Sequence, residues 1–416
     1  MNKITPVIFL CLFGLTSCDS LVDVNYPVID PDGFLNQTIP LPENSKKIME
    51  GIYSVELGQE KFGEQVVLKW SGNNLSIFAS KNVSYLVMQG GSIDSAIYFL
   101  GYWRHAISTD IGVSKLSISS DEGGSQILKE DSLNLKVILK GTYTSQDGSN
   151  NIPFELKYLR PFSDFVKQSD FYILAHRGGG RNSEYLQASE NSVEMISLAE
   201  SFGATGIEID IHISNDGVPF LYHDSDINLR LTQKTVIWGN IENFSWFQLR
   251  SFIKLKNGEK IPSLREALEF ILDNTTLRFV WLDLKSEKNE IPIVVELQKE
   301  ILQRAASMNR DLEIVLGLPD EDKLNNLLAF PDFQNIPSLC ELDVDMVRKV
   351  NSKVWAPRWT LGTQVDLVRQ MHNEGRKSFV WTLDEPSFVE SFMRDGEFDG
   401  ALSNYPSLIA YYHYTR

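Results

Sequence analysis

The sequence predicts an α/β chain: a (β/α)8 barrel over residues 171–416, preceded by an all-β barrel or sandwich over residues 48–160. Three observations lead there. From Phe171 onward, short apolar runs alternate with helix-patterned stretches, as repeated βα units require. Before Leu159 the pattern is a two-residue alternation broken by polar turn clusters. In the second half, polar groups follow strand after strand, as a ring of functional loops at one barrel face requires. That ring disfavours the competing arrangement, a doubly wound open sheet. A chain of 416 residues can bury two cores.

In chain order, Met1 to Cys18 reads as a leader: Lys3 supplies positive charge, Ile4 to Leu15 is mostly apolar, and Leu15-Thr16-Ser17-Cys18 follows. The tetrad resembles the lipobox of bacterial lipoproteins, which implies cleavage before Cys18 and a lipid on that residue. The expected location is then the cell envelope, anchored to a bacterial membrane and either periplasmic or surface-exposed. An ordinary secretory signal with a chance cysteine is the alternative. The apolar run is too short for a comfortable membrane span. With Cys11 removed and Cys18 lipidated, only Cys340 remains, so no intrachain disulfide is expected, and Cys340 reads as a core residue.

Residues 19–47 carry Pro27, Pro31, Pro40 and Pro42 without sustained periodicity and read as a tether. The all-β stretch that follows alternates at Val66 to Trp70, Leu75 to Phe78, Leu133 to Leu139 and Phe154 to Leu159. Trp70, Tyr98 and Trp103 offer either a glycan- or lipid-docking surface or core packing, with core the favoured reading. His105 stands isolated, and no catalytic constellation appears. Arg160 to Asp170 reads as a linker. Beyond it, helices are expected over residues 192–202, 263–272, 293–306, 320–330, 364–374 and 387–394. A net charge of −16 argues against a nucleic-acid partner, which needs a basic surface.

The chemistry gathers at strand ends. Tyr172 to Ala175 stops at His176-Arg177, followed by Gly178-Gly179-Gly180, a loop able to aim backbone N–H groups at an anion. Glu208 and Asp210 lie two residues apart on one strand, so both carboxylates point to one side; a solvated face is the plain alternative. His212 shares that side and reads as rim filler. The run Val218 to Tyr222 ends in His223-Asp224. Asp283 and Lys285 share one face of a later strand. Glu208, Asp210 and Asp283 converging at a barrel mouth would repel one another without a cation, and oxygen ligands favour Ca²⁺ or Mg²⁺.

The ordered set His176-Arg177-Gly178, Glu190-Asn191-Ser192, Gly206 to Asp224, Ile261 to Leu264, Leu282 to Lys285 and Phe398 to Pro406 resembles the glycerophosphodiester phosphodiesterase family. The resemblance runs from about Phe171 to the C-terminus. It implies a TIM barrel of the PLC-like phosphodiesterase type, with residues 225–260 as the insertion after its second strand. It implies His176 and His223 as acid–base pair, Glu208, Asp210 and Asp283 as metal ligands, and Arg177, Lys285, Glu190 and Trp381 around the substrate. Asn191 or Ser192 could equally cap a helix. Asp283 stands where the family usually has glutamate, and Asn404, where it commonly has aspartate, receives no role. The implied reaction is hydrolysis of a small-molecule or lipid-derived phosphodiester to an alcohol and sn-glycerol 3-phosphate. Lysophospholipid, phosphoinositide or polymeric phosphodiesters are alternative substrates. The reading from another class is a non-catalytic binding lipoprotein acting through its β-domain.

Overall fold

Period-2 sequence becomes a closed barrel. In the computed structural model, which describes residues 24–416 except Pro31, Asn134 and Asp147, eight antiparallel strands run in chain order. They are β1 (Gly51–Leu57), β2 (Gln65–Ser71), β3 (Asn74–Phe78), β4 (Ser84–Ile93), β5 (Ala96–His105), β6 (Ile111–Ile118), β7 (Ile138–Thr144) and β8 (Asn151–Arg160). β8 returns to pair with β1, so no edge is left open. Alternation sends Tyr53, Leu68, Ile77, Leu86, Phe99, Leu116 and Leu156 inward. Trp70 and Trp103 are core, 7% and 0% exposed. Tyr98 faces outward, edge-on to Phe34, in a groove of about 540 Å³. His105 is not isolated: its Nδ1 lies 3.2 Å from Asp110.

Three boundaries differ from expectation. The leader and Cys18 lie outside the described residues, and the expected tether is in part packed structure. Val24, Tyr26 and Ile29 lie against the core, Ile39 bridges to Ser92, and Glu43–Met49 is a helix. The strand expected from Leu133 begins only at Ile138, where pairing with β8 starts, and Leu133 itself is exposed. Within the linker, Ser163 caps a short helix, Asp164–Gln168.

The second half forms eight parallel strands. These are β9 (Tyr172–Ala175), β10 (Gly206–Ile213), β14 (Phe279–Leu284), β15 (Glu313–Leu318), β16 (Ser338–Cys340), β17 (Val354–Trp355), β18 (Lys377–Val380) and β19 (Gly400–Ser403), closed by β19–β9 and β10–β9 pairing. Between them β11 (Pro219–Leu221) folds back on β10, and β12 (Asp226–Ile227) and β13 (Gly239–Asn240) form a ribbon in the insertion. A helix follows each barrel strand, and the eight βα units make the expected (β/α)8 barrel. Tyr172, Leu174, Phe279, Trp281, Val315, Leu339 and Phe379 fill its interior. Gly317 makes room for that filling, because a Cβ there would lie 2.3 Å from the Trp281 indole nitrogen. Cys340 is buried, as expected of a core residue.

Six of the eight helices follow the expected pattern closely. The other two are Val344–Val350, a short element, and Pro406–Tyr414, which is buried along most of its length. The latter is wedged between β9 and β19 on one side and β2, β3 and β4 on the other. Around it the two barrels share one apolar cluster, in which Phe78 and Tyr85 meet Phe202, Ile409 and Ala410. Ser76 Oγ donates to Ser201 O at 2.7 Å, and Phe162 stacks on Tyr414 at 4.8 Å. Among the described residues, no helix is long and apolar enough to cross a membrane.

His413 on this wedge stacks on Phe171 at 5.1 Å, and its Nδ1 has no hydrogen-bond partner among the described residues. Burial, then the charges of Arg416 and Arg278, lowers its pKa from 6.5 to about 4. The unfolded chain therefore takes up this proton first. Stability is full above pH 6.5 and is lost as pH falls toward 4, by up to about 3 kcal/mol from this residue. His413→Phe, which keeps the stacking, is expected to flatten the fall of Tm between about pH 7 and pH 4. An unchanged slope would assign the acid response to other groups.

Candidate active site

The site lies at the C-terminal ends of the barrel strands. After β9 the chain turns sharply at Arg177, whose backbone is left-handed (φ 53°), and the Arg177 N–H donates to Glu208 Oε2 at 2.8 Å. Every residue of β10 is buried, with the isoleucines turned to the helices and Glu208, Asp210 and His212 on the opposite parity. Parallel register sets Asp210 beside Asp283. Strand parity and register together bring one ligand atom from each of Glu208, Asp210 and Asp283 within 4.8 Å of the others.

Each of the three carboxylates keeps one buried oxygen without a hydrogen-bond partner among the described residues: Glu208 Oε1, Asp210 Oδ1 and Asp283 Oδ1. Burial and the neighbouring Asp210 and Asp283 charges push the Glu208 pKa well up, and burial raises that of Asp283. Asp210 runs the other way: burial opposes ionisation, but Lys285, His223 and Arg177 together hold its pKa below the usual value. Lys285 Nζ sits 2.5 Å from Asp283 and 3.6 Å from Asp210. Burial works against its charge, yet those two carboxylates raise its pKa. One ammonium against three acids, with three oxygens left over, is a donor set that fits a hard divalent cation.

The two histidines flank this cluster. His176 Nε2 lies 3.7 Å from Glu208, while its Nδ1 meets Asn404 Oδ1 at 2.7 Å. Asn404 is oriented in turn, its amide donating to Asp384 Oδ2 at 2.6 Å, so its oxygen is the atom left to accept. The Nδ1–H tautomer follows, with a lone pair on Nε2. Burial, then the Arg177 charge, lowers the His176 pKa to about 3. His223 is more open and its Nδ1 meets Asp224 Oδ1 at 2.6 Å. Although burial opposes it, hydrogen bonds from Arg230, His223 and Asn228 keep Asp224 ionised. His212 holds Glu242 at 2.7 Å through Nδ1 and meets the His223 carbonyl oxygen at 3.5 Å through Nε2, a rim position that ties the insertion to β10.

The remaining expected residues take defined places. Glu190 has its oxygens committed to Arg177 Nη1 (2.8 Å), Arg230 Nη1 (3.2 Å) and the Asn182 N–H (2.7 Å). It therefore holds Arg177 in place through its carboxylate. Asn191 exchanges hydrogen bonds with Asp210, donating at 2.7 Å and accepting from its N–H at 3.1 Å. Ser192 is the helix cap, accepting from the Met195 N–H. Trp381 donates to Ala356 O at 2.8 Å, with the Arg358 guanidinium 4.6 Å from its ring centroid. The sequence alone had left Asn404, Asp384, Arg230 and Glu341 without roles. Glu341 follows β16; burial and then the Asp283 charge push its pKa well up.

The family model described as "Glycerophosphoryl diester phosphodiesterase family" matches residues 176–408. Human glycerophosphodiester phosphodiesterase 1 is 37% identical over 115 residues, which cover 26% of this chain and 32% of the human protein. The chain thus spans about a third of the length of that relative. A glycerophosphodiester phosphodiesterase of Caldanaerobacter subterraneus subsp. tengcongensis is 23% identical over 57% of this chain and 95% of its own. Among solved structures, an Oleispira antarctica phosphodiesterase in complex with the product sn-glycerol-3-phosphate is 22% identical over 57% of this chain and 94% of that one, with a TM-score of 0.46. Since the family match takes in more than half of the 416 residues, the chain belongs to the glycerophosphoryl diester phosphodiesterase family.

Proposed function

We propose that the chain is a phosphoric diester hydrolase that cleaves glycerophosphodiesters to an alcohol and sn-glycerol 3-phosphate. One observation carries this reading: a histidine with its free nitrogen 3.7 Å from Glu208, in a cluster of three carboxylates that each keep an oxygen unpartnered among the described residues. Family membership supports it, as does the sn-glycerol-3-phosphate bound by the Oleispira antarctica relative. A divalent cation held by Glu208, Asp210 and Asp283, Ca²⁺ or Mg²⁺, would neutralise phosphate charge and polarise a P–O bond.

The chain's own groups supply the rest. Arg177, fixed by Glu190, offers its guanidinium to a phosphate oxygen. Lys285 adds a second positive charge, 3.6 Å from the Asp210 carboxylate that Arg177 approaches at 3.9 Å. His176 Nε2 takes a proton from the attacking water, and the Asp210 charge favours the imidazolium that results. The phosphorus–alkoxide bond breaks as His223, oriented by Asp224, delivers a proton to the leaving oxygen. A lysophospholipid, phosphoinositide or polymeric diester in place of a simple glycerophosphodiester is decided by which of them turns over.

Envelope location and lipid attachment at Cys18 belong to the same proposal and are supported by Leu15-Thr16-Ser17-Cys18. Glycan or lipid contact by the β-domain belongs to the proposal as well, and the groove beside Tyr98 and Phe34 supports it.

Release of alcohol from glycerophosphocholine is expected to require added Ca²⁺ or Mg²⁺ and to stop with chelator. His176→Ala should lower kcat by at least about a hundredfold. Turnover that survives both treatments would sink the mechanism. Asn404→Leu removes the acceptor that sets the His176 tautomer. It is expected to lower kcat about ten- to a hundredfold with KM little changed, measured on protein of wild-type Tm. Cys18→Ser should move the protein from the membrane fraction to the soluble envelope fraction; retention in the membrane would argue against the lipid.

A further inference from the structure

We infer that Arg104 of the β-barrel is a positioning residue for the phosphate-binding loop, so that the β-domain is a working part of the catalytic site. The inference rests on the proposed function and extends it. Arg104 stands on the outer face of β5 and is fully buried. Its Nη2 donates to the carbonyl oxygen of Glu184 at 2.5 Å, across the boundary between the two barrels. Nε and Nη1 are buried without a hydrogen-bond partner among the described residues. The Tyr26 ring lies 5.8 Å from the guanidinium carbon, and Tyr102 packs edge-on to Tyr26.

Among the described residues this guanidinium has one backbone acceptor, the Tyr26 hydroxyl nearby and no carboxylate partner, which makes it costly to bury; an apolar side chain of similar length would fill the space at lower cost. What Arg104 gains is a grip on the segment between Gly178 and Glu190. Three successive glycines open that segment, so its beginning has no side chains with which to anchor itself. The grip passes inward in short steps. Glu184 is the last residue of a 3₁₀ turn that begins at Asn182. The Asn182 N–H donates to Glu190 Oε2 at 2.7 Å, and Asn182 Oδ1 accepts from the Glu190 N–H at 2.9 Å. Glu190 Oε1 then receives Arg177 Nη1. Turn and carboxylate link Arg104 to the arginine that meets the phosphate.

The Glu184 side chain faces away from Arg104 and toward the catalytic barrel. It takes hydrogen bonds from Arg181 Nη2 at 2.6 Å and from Tyr405 Oη at 3.4 Å, next to Asn404. The same turn thus touches the neighbourhood of both Arg177 and the His176 acceptor. A shift at Glu184 should move substrate affinity and turnover together, whereas a loosened domain contact elsewhere should move neither.

The test compares full-length Arg104→Met with wild type and with Ser76→Ala, which removes a hydrogen bond at the same boundary but away from the loop. Arg104→Met is expected to lower kcat/KM about tenfold, with KM raised, on glycerophosphocholine with Ca²⁺ or Mg²⁺. Amides from Gly178 to Glu190 should exchange faster while the rest of the chain and Tm stay as in wild type. Arg104→Lys, which keeps a donor, should recover part of both effects, and Ser76→Ala should show neither. Should Arg104→Met fail to fold, Arg104→Gln, too short to reach Glu184, takes its place. Wild-type kcat/KM and wild-type exchange in the folded variant would overturn the inference. If wild-type protein turns over no phosphodiester, the proposed function fails and the exchange comparison still decides the role of Arg104.

Discussion

Three carboxylates crowded into a buried barrel mouth are the constraint around which the rest is arranged. Asp210 and Asp283 are neighbours by strand register, and Glu208 stands one inward position below Asp210. Like charges at that spacing raise one another's pKa unless positive charge lies among them. Lys285 at the centre supplies it, and then Arg177. Hydrogen bonds to the carboxylates come from the backbone and from Asn191, which hold geometry without adding charge. Each carboxylate then keeps one buried oxygen without a hydrogen-bond partner among the described residues.

Outside this cluster a second layer sets direction. Asn404 and Asp384 aim His176, Asp224 and Arg230 aim His223, and Glu190 aims Arg177. In each case the group that touches the site is held by one that does not. Arg230 serves two of these pairs, bridging Asp224 and Glu190, so the insertion after the second barrel strand is tied to both sides of the mouth. The β-barrel adds a further support behind the glycine loop, from the opposite half of the chain.

The site was legible in the sequence where its residues sit at the ends of short apolar runs. Histidine, arginine and carboxylate at strand ends follow from period and parity, which is why His176, Glu208, Asp210, His223 and Asp283 stand out together. Asn404 stood out only as a departure from the family's aspartate and its role did not, because its partner His176 is 228 residues away and nothing local says what an asparagine there would meet. The choice between barrel and sandwich stayed open for a related reason: closure is a pairing of β8 with β1, a long-range fact that alternation within each strand does not carry. The helix Pro406–Tyr414 was invisible to amphipathic reading, since burial from both sides leaves it no polar face. Residues 24–47 were misread because proline and acidic content resembles a linker, while a few apolar side chains suffice to bind the segment down.

That doubly buried helix also orders events during synthesis. The surface of β2, β3 and β4 on which it rests is complete once β8 has formed, but its cover comes from residues some two hundred and fifty positions later. At ribosomal speeds of about 5–20 residues per second, the young β-barrel would present bare apolar surface for roughly 12 to 50 seconds. A holding chaperone, or transfer of the chain before it folds, would be most needed in that interval, and it ends when the wedge arrives.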